Sequence, residues 1–409
     1  MGVFRVHFHF VYTPPHTILA RYADLLVQCA LHGGEGVKKG EIVQAMIPDC
    51  AKPLYKEIMR SILDAGAIPK MHLLPTETDK LFFDHAKDEQ LKFFPAAYKR
   101  AEADLIDHQI SIIADMNPKE LKEVDPVRLF TAMDAKKEYR EWLNEKERLG
   151  KFTWTLALYG TEAMAKEAGM TLEEYWEQII LACYLDHDDP VSEWKKIQQE
   201  QDRVKKKLND LAIERVHVQA EDIDLRVRIG EKRQWLGGSM RNIPSFEIFV
   251  SPDWRGTNGT IHFNQPLYRY GNILRDVTLT FKDGILTAAK AGEGQAVLDA
   301  MIVRENANKI GEFSLTDSRV SRITKFMANT LFDENMGGRF GNTHVALGRA
   351  YKDSLAGDQA ALSPEEWEAL GFNKSPEHTD IISTTDRTVT AMGFDGKETV
   401  IFKDGKFQV

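Results

Sequence analysis

The stretch Val216-His217-Val218-Gln219-Ala220-Glu221-Asp222-Ile223-Asp224-Leu225-Arg226-Val227-Arg228-Ile229 marks a change of pattern within the 409 residues. Residues 216–218 and 223–229 put apolar side chains at alternate positions, the period of a half-buried strand. Further apolar runs follow at 246–250, 261–263, 277–281 and 285–289, and Lys282-Asp283-Gly284 reads as a hairpin turn. Asp395-Gly396 and Asp404-Gly405 close two more hairpins, and 293–304 is the clearest helix of this half.

Upstream the pattern alternates between helix and strand. Residues 17–31 repeat Leu19, Tyr22, Ala23, Leu26, Val27 and Ala30 at helical spacing, and 53–65 reads as a helix with proline in its first turn. Segment 79–107 reads as a long amphipathic helix broken near Pro95, and 171–185 and 190–213 as charge-rich helices. Short apolar strands at 41–47, 68–74, 110–114 and 152–158 lie between the helices. Such alternation predicts an α/β domain over 1–215, a mostly parallel sheet with helices on both faces. A strand-rich α+β domain over 216–409 is expected to follow it and to carry the chemistry. A chain of this length exceeds one ordinary core, which agrees with two domains.

Hydrophobic residues make up 43% and charged residues 28%, the balance of a soluble globular protein, and the net charge is −9. No excess of Lys and Arg is available to displace phosphate counterions, so nucleic acid is not an expected partner. Cys29, Cys50 and Cys183 are odd in number and far apart, which suits free thiols in a reducing compartment. Met1 to Val6 lacks the pattern of a secretory signal, and Val6 stands where N-myristoylation needs Ser or Thr. No apolar run is long enough for a membrane span. A cytoplasmic protein is therefore expected.

The candidate chemistry lies mostly between Ile310 and Asp380. His378-Thr379-Asp380 leads into Ile381-Ile382, so a strand places the imidazole and the carboxylate on one face, where both can meet one cation. Glu312 opens the extended segment Phe313-Ser314-Leu315, and Glu247 lies in Phe246-Glu247-Ile248-Phe249-Val250 with its apolar neighbours on the other face. Asp333-Glu334-Asn335 suits a helix end or turn, His344 a core histidine, and Tyr351 plain packing. Taken singly, each of these side chains has such an ordinary reading. Together, three or four carboxylates and two imidazoles in one half of the chain form the donor set of a hard-to-borderline divalent ion such as Zn, Co or Mn. No GxSxG elbow occurs and no cysteine has a supporting histidine, so covalent hydrolysis is not indicated. His32-Gly33-Gly34-Glu35-Gly36 follows a helix rather than a strand, and is read as a helix C-cap and turn instead of a phosphate cradle.

The segments Arg241-Asn242-Ile243-Pro244-Ser245-Phe246-Glu247-Ile248-Phe249 and Ser251-Pro252-Asp253 resemble the thermophilic aminopeptidase family of metallopeptidases, the aminopeptidase T and aminopeptidase S type. The likeness continues through 329–335, 344–351 and 378–380, and is looser over 22–27 and Gly40-Glu41. It implies a two-metal exopeptidase that hydrolyses N-terminal residues from peptides through a metal-activated water, usually as a homodimer. Position by position, it implies Glu247, Glu312, Glu334, His344, His378 and Asp380 as metal ligands, with Glu312 the bridge. Glu312 and Tyr351 are its catalytic candidates. The chain departs from the family in Met336-Gly337-Gly338-Arg339-Phe340-Gly341-Asn342-Thr343, longer than the usual link. Its glycines suggest a flexible segment that could displace Glu334. Two alternatives follow: a metal-binding homologue with altered or absent catalysis, or a metallohydrolase of another amide or ester.

Overall fold

The computed structural model describes residues 12–269, 271–357, 359 and 362–409. The opening hexapeptide read above lies outside these residues. In the first half, strands Ile68–Leu74, Ile42–Pro48, His108–Ile113 and Thr153–Leu158 lie side by side in that order, every pair parallel. Parallel neighbours need crossovers, and helices supply them. His16–Gln28 buries Leu19, Tyr22, Leu25 and Leu26 on one stripe, and Lys52–Asp64 buries Leu54, Ile58 and Ile62. These residues share one core with Trp176 and Ile179 of the helix Leu172–Ala182.

The long helix expected over 79–107 is three shorter ones, Asp79–His85, Asp88–Leu91 and Ala96–Leu105. The break at Pro95 follows from its missing N–H. The earlier break comes at Ala86, whose ψ of 137° turns the backbone to an extended form.

The second half contains two large antiparallel sheets. Eight strands run in the order Ile285–Lys290, Val277–Lys282, Asn258–Phe263, Ile223–Arg228, Ile213–Gln219, Thr388–Gly393, Glu398–Lys403 and Lys406–Phe407. A five-stranded sheet runs in the order His378–Ser383, Asn342–Gly348, Ile310–Thr316, Glu247–Val250 and Leu236–Gly237. Their facing apolar side chains form a second core, with Val216, Leu225 and Ile261 from one sheet and Ile248, Phe313, Val345 and Ile381 from the other. The fold class read from the sequence therefore holds: a parallel, helix-covered half precedes a strand-rich half.

Two segments of the second half reach back into the first. Asn242–Ile243 adds a fifth parallel strand beside Thr153–Leu158. Ile323, Met327, Leu331, Phe332 and Met336 pack into the core of the parallel sheet. Tyr175 Oη donates to the Met327 carbonyl at 3.1 Å and Tyr184 Oη to the Val320 carbonyl at 2.6 Å. The segment that carries Glu334 is thereby pinned between the two halves. Among the described residues, no helix is long and apolar enough to cross a membrane.

Candidate metal centre

Register in the five-stranded sheet decides where the polar side chains go. Glu312 is paired with Ala346, and Ala346 with Asp380; His378 is paired with Gly348, and His344 with Ser314 and Ile382. Glu247 is paired with Thr316 in the neighbouring strand. Residues directly opposite one another project from the same side of a sheet. Glu247, Glu312, His344, His378 and Asp380 accordingly share one face, while Ile248, Val250, Phe313, Leu315, Val345, Leu347 and Ile381 take the other and fill the second core. Ala346 lies between Glu312 and Asp380, and its small side chain leaves the space they project into.

A register irregularity lies between Ile310 and Glu312, directly before the central glutamate. Gly311 occupies it, and a Cβ there would come within 2.4 Å of the Gly348 and Arg349 carbonyl oxygens. Only glycine allows the two backbones to approach so closely.

The side chains converge in two overlapping clusters. Glu247, Glu312 and His344 form one, and Glu312, His378 and Asp380 the other, with the ligand atoms of each within 4.8 Å of one another. His344 Nε2 lies 3.1 Å from Glu247 Oε2, 3.1 Å from Glu312 Oε1 and 3.9 Å from Asp380 Oδ1. His378 Nε2 lies 3.4 Å from Asp380 Oδ1 and 4.0 Å from Glu312 Oε2. Glu312 thus turns one oxygen to each cluster. His378 Nδ1 donates to the Arg349 carbonyl at 2.7 Å, which fixes the ring and leaves Nε2 toward the carboxylates.

This crowding shows in the ionisation of the side chains. Burial is the largest influence on Glu312 and, with Glu247 and Asp380 nearby, pushes it up to about 7, although the His344 contact opposes the rise. Burial and the same neighbours drive Glu334 far above the carboxylate range. For His378 burial favours the neutral ring, but Asp380 and Glu312 outweigh it and raise the group to about 9. His344 rises for the same reason, through Glu247 and Glu312. Buried groups of like charge are costly without a counter-charge.

The donor set fits two divalent cations. Asp380 Oδ1 is buried and makes no well-formed hydrogen bond, with His378 Nε2 3.4 Å away, so it can take a cation without giving one up. All the donors are carboxylate oxygens or imidazole nitrogens, which suit divalent cations. Glu247, Glu312, Glu334 and Asp380 together carry four negative charges when ionised, which two such ions balance.

Glu334 stands outside both clusters but lines the same cavity of about 560 Å³, as do Glu247, Glu312, Tyr351, His378 and Asp380. The glycine-bearing link before His344 is not the loose segment expected. Gly337 and Gly341 are buried, and Gly337 N–H donates to the Ile323 carbonyl at 2.9 Å. Asn342 Nδ2 donates to the Glu334 and Met336 carbonyls at 2.9 and 2.6 Å, closing the link as a packed turn.

Sequence reasoning missed Asn335, whose side chain ties two ligand-bearing segments together. Its Oδ1 accepts the Phe246 N–H at 2.5 Å, and its Nδ2 donates to the Leu331 carbonyl at 3.0 Å and to Glu334 Oε1 at 3.3 Å. Asn335→Ala leaves the buried Phe246 N–H without an acceptor and is expected to destabilise the fold by about 1–3 kcal/mol. Urea unfolding checks this; an unchanged midpoint would show that the tie is dispensable. The cavity wall supplied by Phe152, Thr153 and Trp154 of the first half was also missed, because nothing in those residues signals a site.

Tyr351 is 38% exposed, and its ring centroid lies 4.7 Å from that of His378. Burial against Glu312 and Asp380 raises its hydroxyl further above the ordinary tyrosine value, so it remains a proton donor at neutral pH.

Known proteins resemble this chain over most of its length. Aminopeptidase 2 of Geobacillus stearothermophilus is 28% identical over 414 residues, covering 95% of this chain and 97% of that protein. Aminopeptidase AmpS of Bacillus subtilis is 28% identical over 415 residues, covering 95% and 98%. The solved structure of wild-type AmpT from Thermus thermophilus superposes with a TM-score of 0.80 at 22% identity, over 96% of this chain and 99% of that one, so the fold is shared. Residues 16–407 match the thermophilic metalloprotease (M29) family as a whole, and the chain belongs to that family.

Proposed function

We propose that the chain removes N-terminal residues from peptides at the face shared by Glu247, Glu312, His344, His378 and Asp380. It is a metal-dependent aminopeptidase of its family. The observation that carries the site assignment is that Glu312 belongs to both clusters. Glu247, Glu312 and His344 would hold one divalent ion, and Glu312, His378 and Asp380 the other. Zinc, cobalt and manganese all suit the donors. Such an ion pair, when bound, makes water a competent nucleophile near neutral pH and polarises the scissile carbonyl.

The chain's own residues do the rest. A cavity carboxylate takes the proton of the attacking water and returns it to the leaving amine, and Glu312 touches both clusters where that proton is released. Glu334, the fourth carboxylate, suits the substrate's α-ammonium group as well as an ion. Tyr351 Oη donates a hydrogen bond to the oxyanion as the carbonyl becomes tetrahedral. Tyr351→Phe is expected to lower kcat about 10²-fold with little change in KM, since the bond strengthens only in the transition state. A raised KM at constant kcat would instead make Tyr351 a substrate-binding residue.

The test of the function is release of free N-terminal amino acids from unblocked peptides, abolished by a chelator and absent with N-acetylated peptides. Equal cleavage of blocked peptides or simple esters would favour a hydrolase of another amide or ester. Bound metal with no turnover on unblocked peptides would instead favour the inactive homologue.

The division into an α/β domain over 1–215 and a catalytic domain over 216–409 belongs to the same proposal. Its support is the presence of two separate cores, although 242–243 and 323–336 cross back to the first. A homodimer in the cytoplasm with no nucleic-acid partner completes the reading. The net charge of −9 supports the last point, and light scattering tests the dimer.

A further inference from the structure

We propose that His32, Glu41 and His108 form a separate zinc site in the α/β half, at the rim of the same cavity. The three come from different segments. His32 lies in the turn after the first helix, Glu41 directly precedes strand Ile42–Pro48, and His108 begins strand His108–Ile113. His32 Nε2 lies 3.0 Å from Glu41 Oε1, and His108 Nε2 lies 2.9 Å from Glu41 Oε2. The three ligand atoms lie within 4.8 Å of one another, and the two rings meet edge to face with centroids 4.5 Å apart. Zinc bound at about 2.0–2.1 Å in a tetrahedron separates its ligand atoms by about 3.3 Å. Small side-chain movements open the observed distances to that spacing.

The surroundings are arranged for the same purpose. His108 Nδ1 faces Thr153 Oγ1 at 2.8 Å, and that oxygen also accepts the backbone N–H of His32 at 3.2 Å. One threonine therefore contacts both histidine segments, and it gives the His108 ring the second partner that metal-bound imidazoles ordinarily have. In the metal-free chain each Nε2–H donates to Glu41. Zinc takes the Nε2 lone pairs once the rings adopt the Nδ1–H tautomer, for which His108 already has an acceptor in Thr153. His32 has φ of 51°, in the left-handed region that few non-glycine residues occupy. Such a conformation persists where something holds it, and a ligand role is one such cause.

Two histidines and one carboxylate leave a fourth position for water, and the partly exposed His32 and Glu41 side chains, each 22% accessible, give an ion a way in. The site shares no residue with the catalytic clusters. Gly33 and Thr153 nevertheless line the cavity that Glu312 also lines, so zinc here would fix the turn that forms part of the cavity wall.

The test is zinc content per chain of the intact protein after loading with zinc chloride and exhaustive dialysis. His32→Gln, on a partly exposed turn, and His108→Gln are each expected to lose one equivalent relative to wild type while circular dichroism shows a folded chain. The same loss is expected in a Glu312→Gln background, so a failure of the catalytic assignment cannot imitate it. An anomalous map of a zinc-loaded crystal is expected to peak among the three side chains. An unchanged zinc content in a folded His32→Gln chain, or no peak there, overturns the proposal.

Discussion

Glu312→Gln is expected to lower kcat on unblocked peptides by about 10²–10⁴-fold, with a folded chain and altered metal content. The amide matches the carboxylate in shape, so the contact with His344 Nε2 at 3.1 Å retains an acceptor oxygen. It cannot supply a charged oxygen to each cluster, and both clusters use this residue. Glu247→Gln and Asp380→Asn each touch only one cluster and are expected to weaken one ion selectively. Elemental analysis beside steady-state kinetics separates these patterns. If Glu312→Gln kept wild-type kcat and both ions, Glu312 would be neither bridge nor base. The metal-free variant is also expected to be at least as stable as metal-free wild type, because one of four crowded carboxylates has lost its charge.

The site was legible where a local rule sufficed. His378 and Asp380 are two apart in a strand, and that spacing alone places them on one face. Glu247 was read with its apolar neighbours opposite, and Ile248 and Val250 do lie in the second core. What the local pattern could not supply was register. Glu312 meets Ala346, and through it Asp380, by the register of three strands far apart in the chain, and nothing in Gly-Glu-Phe announces that. Asn242–Ile243 is too short to show any period, yet it ties the second half to the parallel sheet. The glycines of 336–343 suggested looseness from composition. Close backbone approach is the other reason to use glycine, and at Gly337 a Cβ would lie 2.2 Å from the Ser321 carbonyl oxygen. His32 was read as part of a turn, which it is. Its partners Glu41, just before one strand, and His108, at the start of another, are joined to it by no local pattern.

Removal of metal is expected to abolish peptide release completely and reversibly, and the effect depends on pH in a direction the site dictates. Without cations, Glu312 near 7, His378 near 9 and the raised His344 hold protons that metal ligands must lose. Cations and protons therefore compete, and metal affinity rises as pH climbs through about 7 toward 9. Titration of chelated protein with zinc in buffers of different ionisation heat is expected to show proton release that shrinks over that range. Activity should return with zinc, cobalt or manganese, since nothing in the oxygen and nitrogen donor set restricts the site to one of them. The ions also relieve repulsion among the buried carboxylates, so the loaded chain should unfold at higher temperature. At a thousandfold excess of free metal over its Kd the gain is about 4 kcal/mol per ion. Full activity after exhaustive chelation would refute the assigned chemistry. Proton uptake on metal binding would instead show that these side chains are not the ligands.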